Sequence, residues 1–302
     1  MKEKPFSPYR IVSNGIMILW TLCIILPFVL LFMSSITAES VLVSEGYSFI
    51  PKEFSLGAYE YIIKSGGQIL KAYGISIGVT VVGTLINVLL SAMMAYPLAT
   101  KNLPGRRIMM FFVFFTMLFN GGIVPSYIMW SGTFHIKDTI LAQLLPTLLL
   151  SAWNVMMMRT YFSTSIPDTL YEAAEIDGAS QFRIFWTIVI PLGKPILVTM
   201  GTFAGLAYWN DWTNGLYYIT KNQDLYNIQN LLNQMVQNIQ YLAQSSDANM
   251  AAAAAKIPTT GVQMAIAFVA ILPIMLIFPF FQKYYAKGIA LGAVKGLSLI
   301  HI

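Results

Sequence analysis

Six stretches of about twenty mostly apolar residues, the length an α-helix needs to cross the hydrocarbon of a bilayer, lie near 14 to 34, 74 to 98, 108 to 130, 139 to 159, 192 to 217 and 259 to 281. No water reaches that hydrocarbon, so each segment must satisfy its own backbone N–H and C=O groups, which a helix does. The pattern predicts an all-α, polytopic membrane protein: six transmembrane helices in a single domain over 1–302. Composition agrees, since only 10% of the 302 residues are charged and mean hydropathy is +0.65, against roughly 25% charged in soluble domains. Two runs contain breakers: Asn120, Gly121, Gly122 and Pro125 in the third, Pro146 in the fourth. Breaks at that depth need protein around them rather than lipid, so the boundaries near 120–146 are the least fixed.

Lysine and arginine placement sets the orientation. With the N-terminus inside, twelve basic residues fall on the inner side (Lys2, Lys4, Arg10, Lys101, Arg106, Arg107, Arg159, Arg183, Lys194, Lys283, Lys287, Lys295) and six on the outer (Lys52, Lys64, Lys71, Lys137, Lys221, Lys256). Both termini are therefore expected in the cytoplasm. The net charge of +5 is then a topology signal; a nucleic-acid partner would need a clustered basic face, which the sequence lacks. Cys23, the single cysteine, lies in the first run and is read as a packed small hydrophobe. That run is too long for a signal-peptide core and has no small-residue cleavage site, so it is read as a retained anchor.

The longest water-compatible insertion among the inner segments is 165–191. Pro167 suits the first position of a helix, where its missing N–H costs no bond, and Asp168 suits the positive end of the macrodipole. In the following helix Asp168, Glu172 and Glu175 fall at i, i+4 and i+7, and Leu170, Ala173 and Ala174 on another, narrow side. Gly178 can take the positive φ that ends a helix. Ser180 can then cap a second helix carrying Phe182, Phe185, Trp186 and Val189 until Pro191 interrupts it. An acidic, alanine-containing loop is ordinarily a solvated amphipathic helix. Here the order Glu172-Ala173-Ala174, then Asp177-Gly178-Ala179, then Ile188 and Pro191 resembles the EAA coupling motif of ABC importer permeases. The resemblance implies a cytoplasmic coupling helix that docks in a cleft of an ATPase, a helix-in-groove contact, through Glu172, Ala173, Ala174, Asp177, Gly178 and Ala179.

Other stretches are read beside that motif. Residues 38–71 suggest loops around one short helix near Ala58 to Lys64. The Pro104-Gly105 turn with Arg106 and Arg107 is ordinary positive-inside punctuation. Phe119 to Tyr127 holds two glycines and a proline in one turn-length, consistent with a bend or with a plain end of span; similarity to carbohydrate permeases favours a bend at the pathway. Eighteen residues at about 1.5 Å each put Trp209 roughly 27 Å above Pro191, near the outer face. Aromatics there usually form an interfacial belt, whereas Asn210 and Asp211 at a span's edge are functional candidates. Tyr127, Trp209, Asn210 and Asp211 are thus the candidate substrate-pathway residues.

In the outer insertion, 220–257, Leu225, Ile228, Leu232, Met235, Ile239 and Leu242 recur at helical spacing with Asn and Gln between them. A helix packed on the outer face, its polar side toward an extracytoplasmic binding protein, is expected. The tail over 283–302 resembles the glycine-rich tail of the inner permease subunit of maltose-type importers, which implies that Gly288, Gly292, Lys295 and Gly296 reach the ATPases in extended chain. Leu297 to Ile302 departs from that pattern.

The sequence has no G-x-x-x-x-G-K-[ST], so no P-loop, and no plausible zinc constellation or nucleophile motif. No catalytic residue and no metal site is assigned. A carrier driven by an ion gradient is the alternative; it should place ionisable residues within its spans, where this sequence has almost none. The resemblance implies a subunit of a carbohydrate importer in a bacterial cell membrane, with a second, homologous permease as heterodimer partner, two copies of a cytoplasmic ATPase holding ATP and Mg, and an extracytoplasmic binding protein. With no Lys or Arg well inside a span, this chain is expected to read neutral hydroxyl and ring features of a sugar, leaving charge selection to its partners.

Overall fold

The computed structural model describes residues 8–64, 66–244 and 259–293, and they are mostly helical. Among them there is no strand, only an isolated bridge between Thr37 and Phe54. The chain divides into two compact units, residues 1–69 with 232–273 and residues 70–231 with 274–302.

In the first unit, α1 (Pro8–Ser35) and α2 (Glu39–Glu45) precede α3 (Gly57–Lys64). Glu39 accepts from the backbone N–H groups of Thr260 and Gly261, both at 2.8 Å. These are orphan donors of a helix start, that of α15 (Thr259–Ala293). The Phe32 and Phe268 rings meet at 4.9 Å.

The second unit is built on α4 (Gly66–Ala99), whose 34 residues begin well before the apolar run read from the sequence. The third run is bent: α5 (Arg106–Leu118) and α6 (Ile123–Tyr127), which continues as a π turn to Thr133, diverge by 110°. Gly122 N–H donates to Asn120 Oδ1 at 2.9 Å, a local side-chain turn that competes with helix. The fifth run is bent too, by 81°, but the break falls at Gly193 and not at Pro191. Pro191 sits in the first turn of α11 (Ile190–Leu192), where its missing N–H is tolerated. Any Cβ at Gly193 would stand 2.6 Å from the Val189 carbonyl oxygen, so the chain turns where only glycine fits. α12 (Lys194–Trp209) and α13 (Thr213–Tyr218) follow, then α14 (Ile228–Gln244).

The fourth run does not form one helix. α7 (Leu141–Leu144) stops, Thr147 takes φ 61°, and α8 (Ala152–Ser165) starts anew. The break exposes carbonyls that a helix would have satisfied, and three other helices supply donors. Tyr208 Oη donates to Leu144 O at 3.0 Å, Asn214 Nδ2 to Pro146 O at 3.0 Å and Asn87 Nδ2 to Leu148 O at 2.7 Å. Asn154 Nδ2 donates in turn to Asn87 Oδ1 at 2.8 Å. Side chains from elsewhere in the chain thus satisfy the backbone that the break leaves unpaired. By length and composition, three described helices can cross a membrane, or up to five if each bent pair is one span.

Of the expected tail, residues to Ala293 continue α15. Gly288 and Gly292 therefore stand in helical rather than extended backbone, because the alanine, leucine and lysine around them offset about 1 kcal/mol lost per glycine. Lys295 and Gly296 lie outside the described residues.

Candidate functional site: the turn at 165–191

Residues 165–191 fold as helix, turn, helix. α9 (Asp168–Ile176) starts directly after Pro167, which is extended at ψ 136° and stands at the cap, one residue before the position read from the sequence. Gly178 has φ 73°, and Ala179 N–H returns to Ala174 O at 2.9 Å. Ser180 then caps α10 (Gln181–Ile184), its hydroxyl accepting from Arg183 N–H at 3.3 Å. A π turn over Phe185–Val189 leads on to α11.

The inward face of α9 is set by Tyr171, a residue the sequence reading did not single out. Tyr171 is buried and Ala174 packs partly beside it, while Leu170 and Ala173 are exposed. Helical period decides this: once the Tyr171 ring anchors at 5.9 Å from that of Tyr96 on α4, positions one step earlier and two later turn outward. Burial pushes the Tyr171 phenol well above its ordinary pKa, so it stays neutral.

Polar contacts finish the attachment. Asp168 pairs with Lys101 at 2.6 Å, and that hydrogen bond raises the Lys101 pKa. Tyr96 Oη donates to Gln181 Oε1 at 2.6 Å, and Gln181 Nε2 donates to Glu175 Oε1 at 2.8 Å. Arg106 and Arg159 both donate to Leu98 O, at 2.9 and 3.3 Å, placing cations at the negative end of α4. These arginines thus have a structural part in the fold. A groove of about 550 Å³ runs between the end of α4, the 100–104 loop and α9, with Phe182 on its wall.

What remains outward is an acidic and apolar surface. Glu172, Ala173, Asp177 and Gly178 are exposed, Ala174 and Ala179 half-buried. Ile176 is 86% exposed beside these carboxylates.

The other candidates stand at the far end of α4. Tyr73, 23 residues before Tyr96, puts its ring 6.2 Å from that of Trp209, and at about 1.5 Å per residue the two ends are roughly 35 Å apart, about a bilayer core. Trp209 is buried there while Asn210 is exposed. Asp211 Oδ1 accepts from Thr213 and Asn214 N–H at 3.0 and 3.3 Å, bracing the start of α13; its role in the fold is plain. Tyr127 stacks on Tyr218 of α13 at 5.8 Å and accepts from Lys137 Nζ at 3.0 Å. Lys137, counted from sequence only for topology, is therefore part of this set.

Asp138 locks the same end. Its carboxylate accepts from Thr220 and Lys221 N–H at 2.7 and 2.8 Å, while its own N–H donates to Tyr218 O at 2.9 Å. The Lys221 bond, with those from Thr220 and Asn222, outweighs desolvation and holds the Asp138 pKa below its ordinary value. Among the described residues, no group of three or more His, Cys, Asp or Glu could hold a metal ion.

Residues 72–291 match the model of a family described as binding-protein-dependent transport system inner membrane component. A polygalacturonan/rhamnogalacturonan transport system permease protein of Bacillus subtilis is 36% identical over 98% of this chain and 100% of its own length. An arabinooligosaccharides transport system permease protein of the same organism is 27% identical over 96% and 98%. Among solved structures, a bacterial ABC transporter involved in importing the acidic polysaccharide alginate has a chain that superposes with TM-score 0.78 at 25% identity, covering 94% of this chain and 100% of that one.

Proposed function

Because this chain belongs to the family of binding-protein-dependent transport system inner membrane components, we infer that it is the permease subunit of an ATP-driven ABC importer for an oligosaccharide. It works as one permease domain with six membrane crossings, the broken 139–159 run serving as one of them, and both termini in the cytoplasm. It transports and does not catalyse; ATP and Mg are handled by two copies of a partner ATPase. A second, homologous permease completes the pathway, and an extracytoplasmic binding protein delivers the sugar. The observation that carries this reading is the outward surface of α9, with Glu172, Asp177 and the 86% exposed Ile176 held at the end of α4 where the basic residues collect. ATP binding draws the ATPases together, and α9, seated in one of them, carries the movement into the membrane helices.

The substrate we assign is a uronic-acid oligomer. One similar protein is named for polygalacturonan/rhamnogalacturonan transport and another for import of the acidic polysaccharide alginate, and Lys137 stands beside Tyr127 with its amine 3.0 Å from the phenol oxygen. A carboxylate entering that end of the unit would meet a cation that lies outside every span read from the sequence.

The test is purification of the tagged complex from its host membrane, followed by uptake of labelled trigalacturonate into proteoliposomes. Recovery of an ATPase and uptake that requires ATP are expected. Uptake that runs on a proton or sodium gradient without ATP would establish the secondary carrier instead.

A further inference from the structure

Apolar contact through Tyr171 would suffice to attach α9 to the membrane helices, yet one amide side chain joins three helices. Gln181, the first residue of α10, accepts from Tyr96 Oη at 2.6 Å and donates to Glu175 Oε1 at 2.8 Å. The direction of the chain is fixed by chemistry. A carboxylate only accepts, so the amide N–H must face Glu175 and its carbonyl must face the phenol. Tyr96 is 6% exposed, with the Tyr171 and Phe185 rings each 5.9 Å away, and its hydroxyl meets Gln181 on the wall of the groove.

The bond between Glu175 and Gln181 also closes the turn at Gly178. Backbone bonds already fix that turn, Ala179 N–H to Ala174 O at 2.9 Å among them; the amide adds a side-chain link between the two short helices, and Tyr96 ties that link to α4. The exposed Lys101 and Asp168 pair at the other end of α9 contributes little by itself.

We propose that Gln181 is the positioning residue of the coupling unit: through Tyr96 and Glu175 it makes α9, α10 and α4 move together when the ATPase displaces α9. The proposal rests on α9 being the ATPase-docking helix. Without the amide, α9 can follow the ATPase while α4 stays behind, and hydrolysis is uncoupled from opening.

The experiment uses the assembled complex, with both permeases, the ATPase and the binding protein, in nanodiscs. Gln181→Met keeps the length and removes both hydrogen bonds; Tyr96→Phe removes one hydroxyl. Each variant is expected to lower binding-protein stimulation of ATP hydrolysis by roughly fivefold or more, with co-purification of all subunits unchanged. The double variant should be no worse than Gln181→Met alone, since both cut the same chain. Amide exchange across 168–177, read on the assembled fraction, should quicken in both. Gly178→Val and Glu172→Lys serve as the reference for the docking reading itself. Normal stimulation in those two would overturn the docking role of α9. Loss in those two with normal stimulation and unchanged exchange in Gln181→Met and Tyr96→Phe would overturn the Gln181 proposal alone, as would strictly additive losses in the double variant.

Discussion

The tip of the Tyr208 ring lies against the backbone of Gly83, so close that a methyl group on Gly83 would stand 2.5 Å from the phenol carbon that bears the hydroxyl. α12 can approach α4 this nearly only because Gly83 has no side chain, and the approach is what carries the Tyr208 hydroxyl to the free carbonyl of Leu144. Gly83→Ala is therefore expected to overpack the contact, at about 1–3 kcal/mol, and Tyr208→Phe to leave a buried carbonyl unpaired, at about 1–3 kcal/mol. Thermal unfolding of the purified complex checks both, and unchanged melting of Gly83→Ala would refute the contact.

Gly178 is another glycine that other residues replace poorly. At φ 73° a β-branched side chain costs about 1–2 kcal/mol in the left-handed region. Gly178→Val should strain the turn, and Glu172→Lys should invert the outward charge of α9; uptake should disappear in both while the protein remains in the membrane. Normal ATP-dependent uptake in both would remove the coupling role.

That turn was readable in the sequence and the face of α9 was not, for a physical reason. Pro167, Gly178 and Ser180 act through their own backbone geometry, so their meaning is local. Tyr171 is an anchor only because Tyr96, 75 positions earlier, waits on α4, and Gln181 matters only because it stands between Tyr96 and Glu175. The same contrast separates the runs. Asn120 to Gly122 breaks its helix by local chemistry. The fourth run is as apolar as a helix, and its break survives because Asn87, Tyr208 and Asn214 arrive from elsewhere in the sequence with donors. Lys137 likewise reads as one more outer cation until Tyr127 is seen beside it.

The inner and outer assignments have a direct readout. Reporter fusions after Lys101 and after Ala179 should read cytoplasmic, and one after Asp247 external. The opposite sign at either inner site would overturn the six-span arrangement.

Asp138 makes its end of the second unit sensitive to acid. Its folded pKa is lowered, chiefly by the Lys221 N–H bond, so its contribution is fully present above the unfolded carboxylate value of about 3.9 and is lost as pH falls through the folded value. Exchange of the Thr220 and Lys221 amides should be flat through neutral pH and quicken only in that acid window. Asp138→Asn should quicken exchange already at neutral pH. Protection in the variant equal to that of the parent protein would show that the carboxylate does not hold the loop.

Charge selection is the sharpest consequence of the contact between Lys137 and Tyr127. Transfer of a carboxylate out of water is costly unless a partner offsets it, and Lys137 supplies a cation whose own pKa is raised by the Tyr127 hydroxyl. Lys137→Gln keeps a donor and removes the charge. It should slow uptake of trigalacturonate by about tenfold, the value of roughly 1.4 kcal/mol, and leave a methyl-esterified trimer nearly unaffected. Tyr127→Phe, Trp209→Ala and Asn210→Ala touch hydroxyl and ring contacts instead, so they should slow both trimers alike once assembly is confirmed. Equal slowing of both trimers by Lys137→Gln would place charge selection outside this subunit, in the binding protein or the second permease.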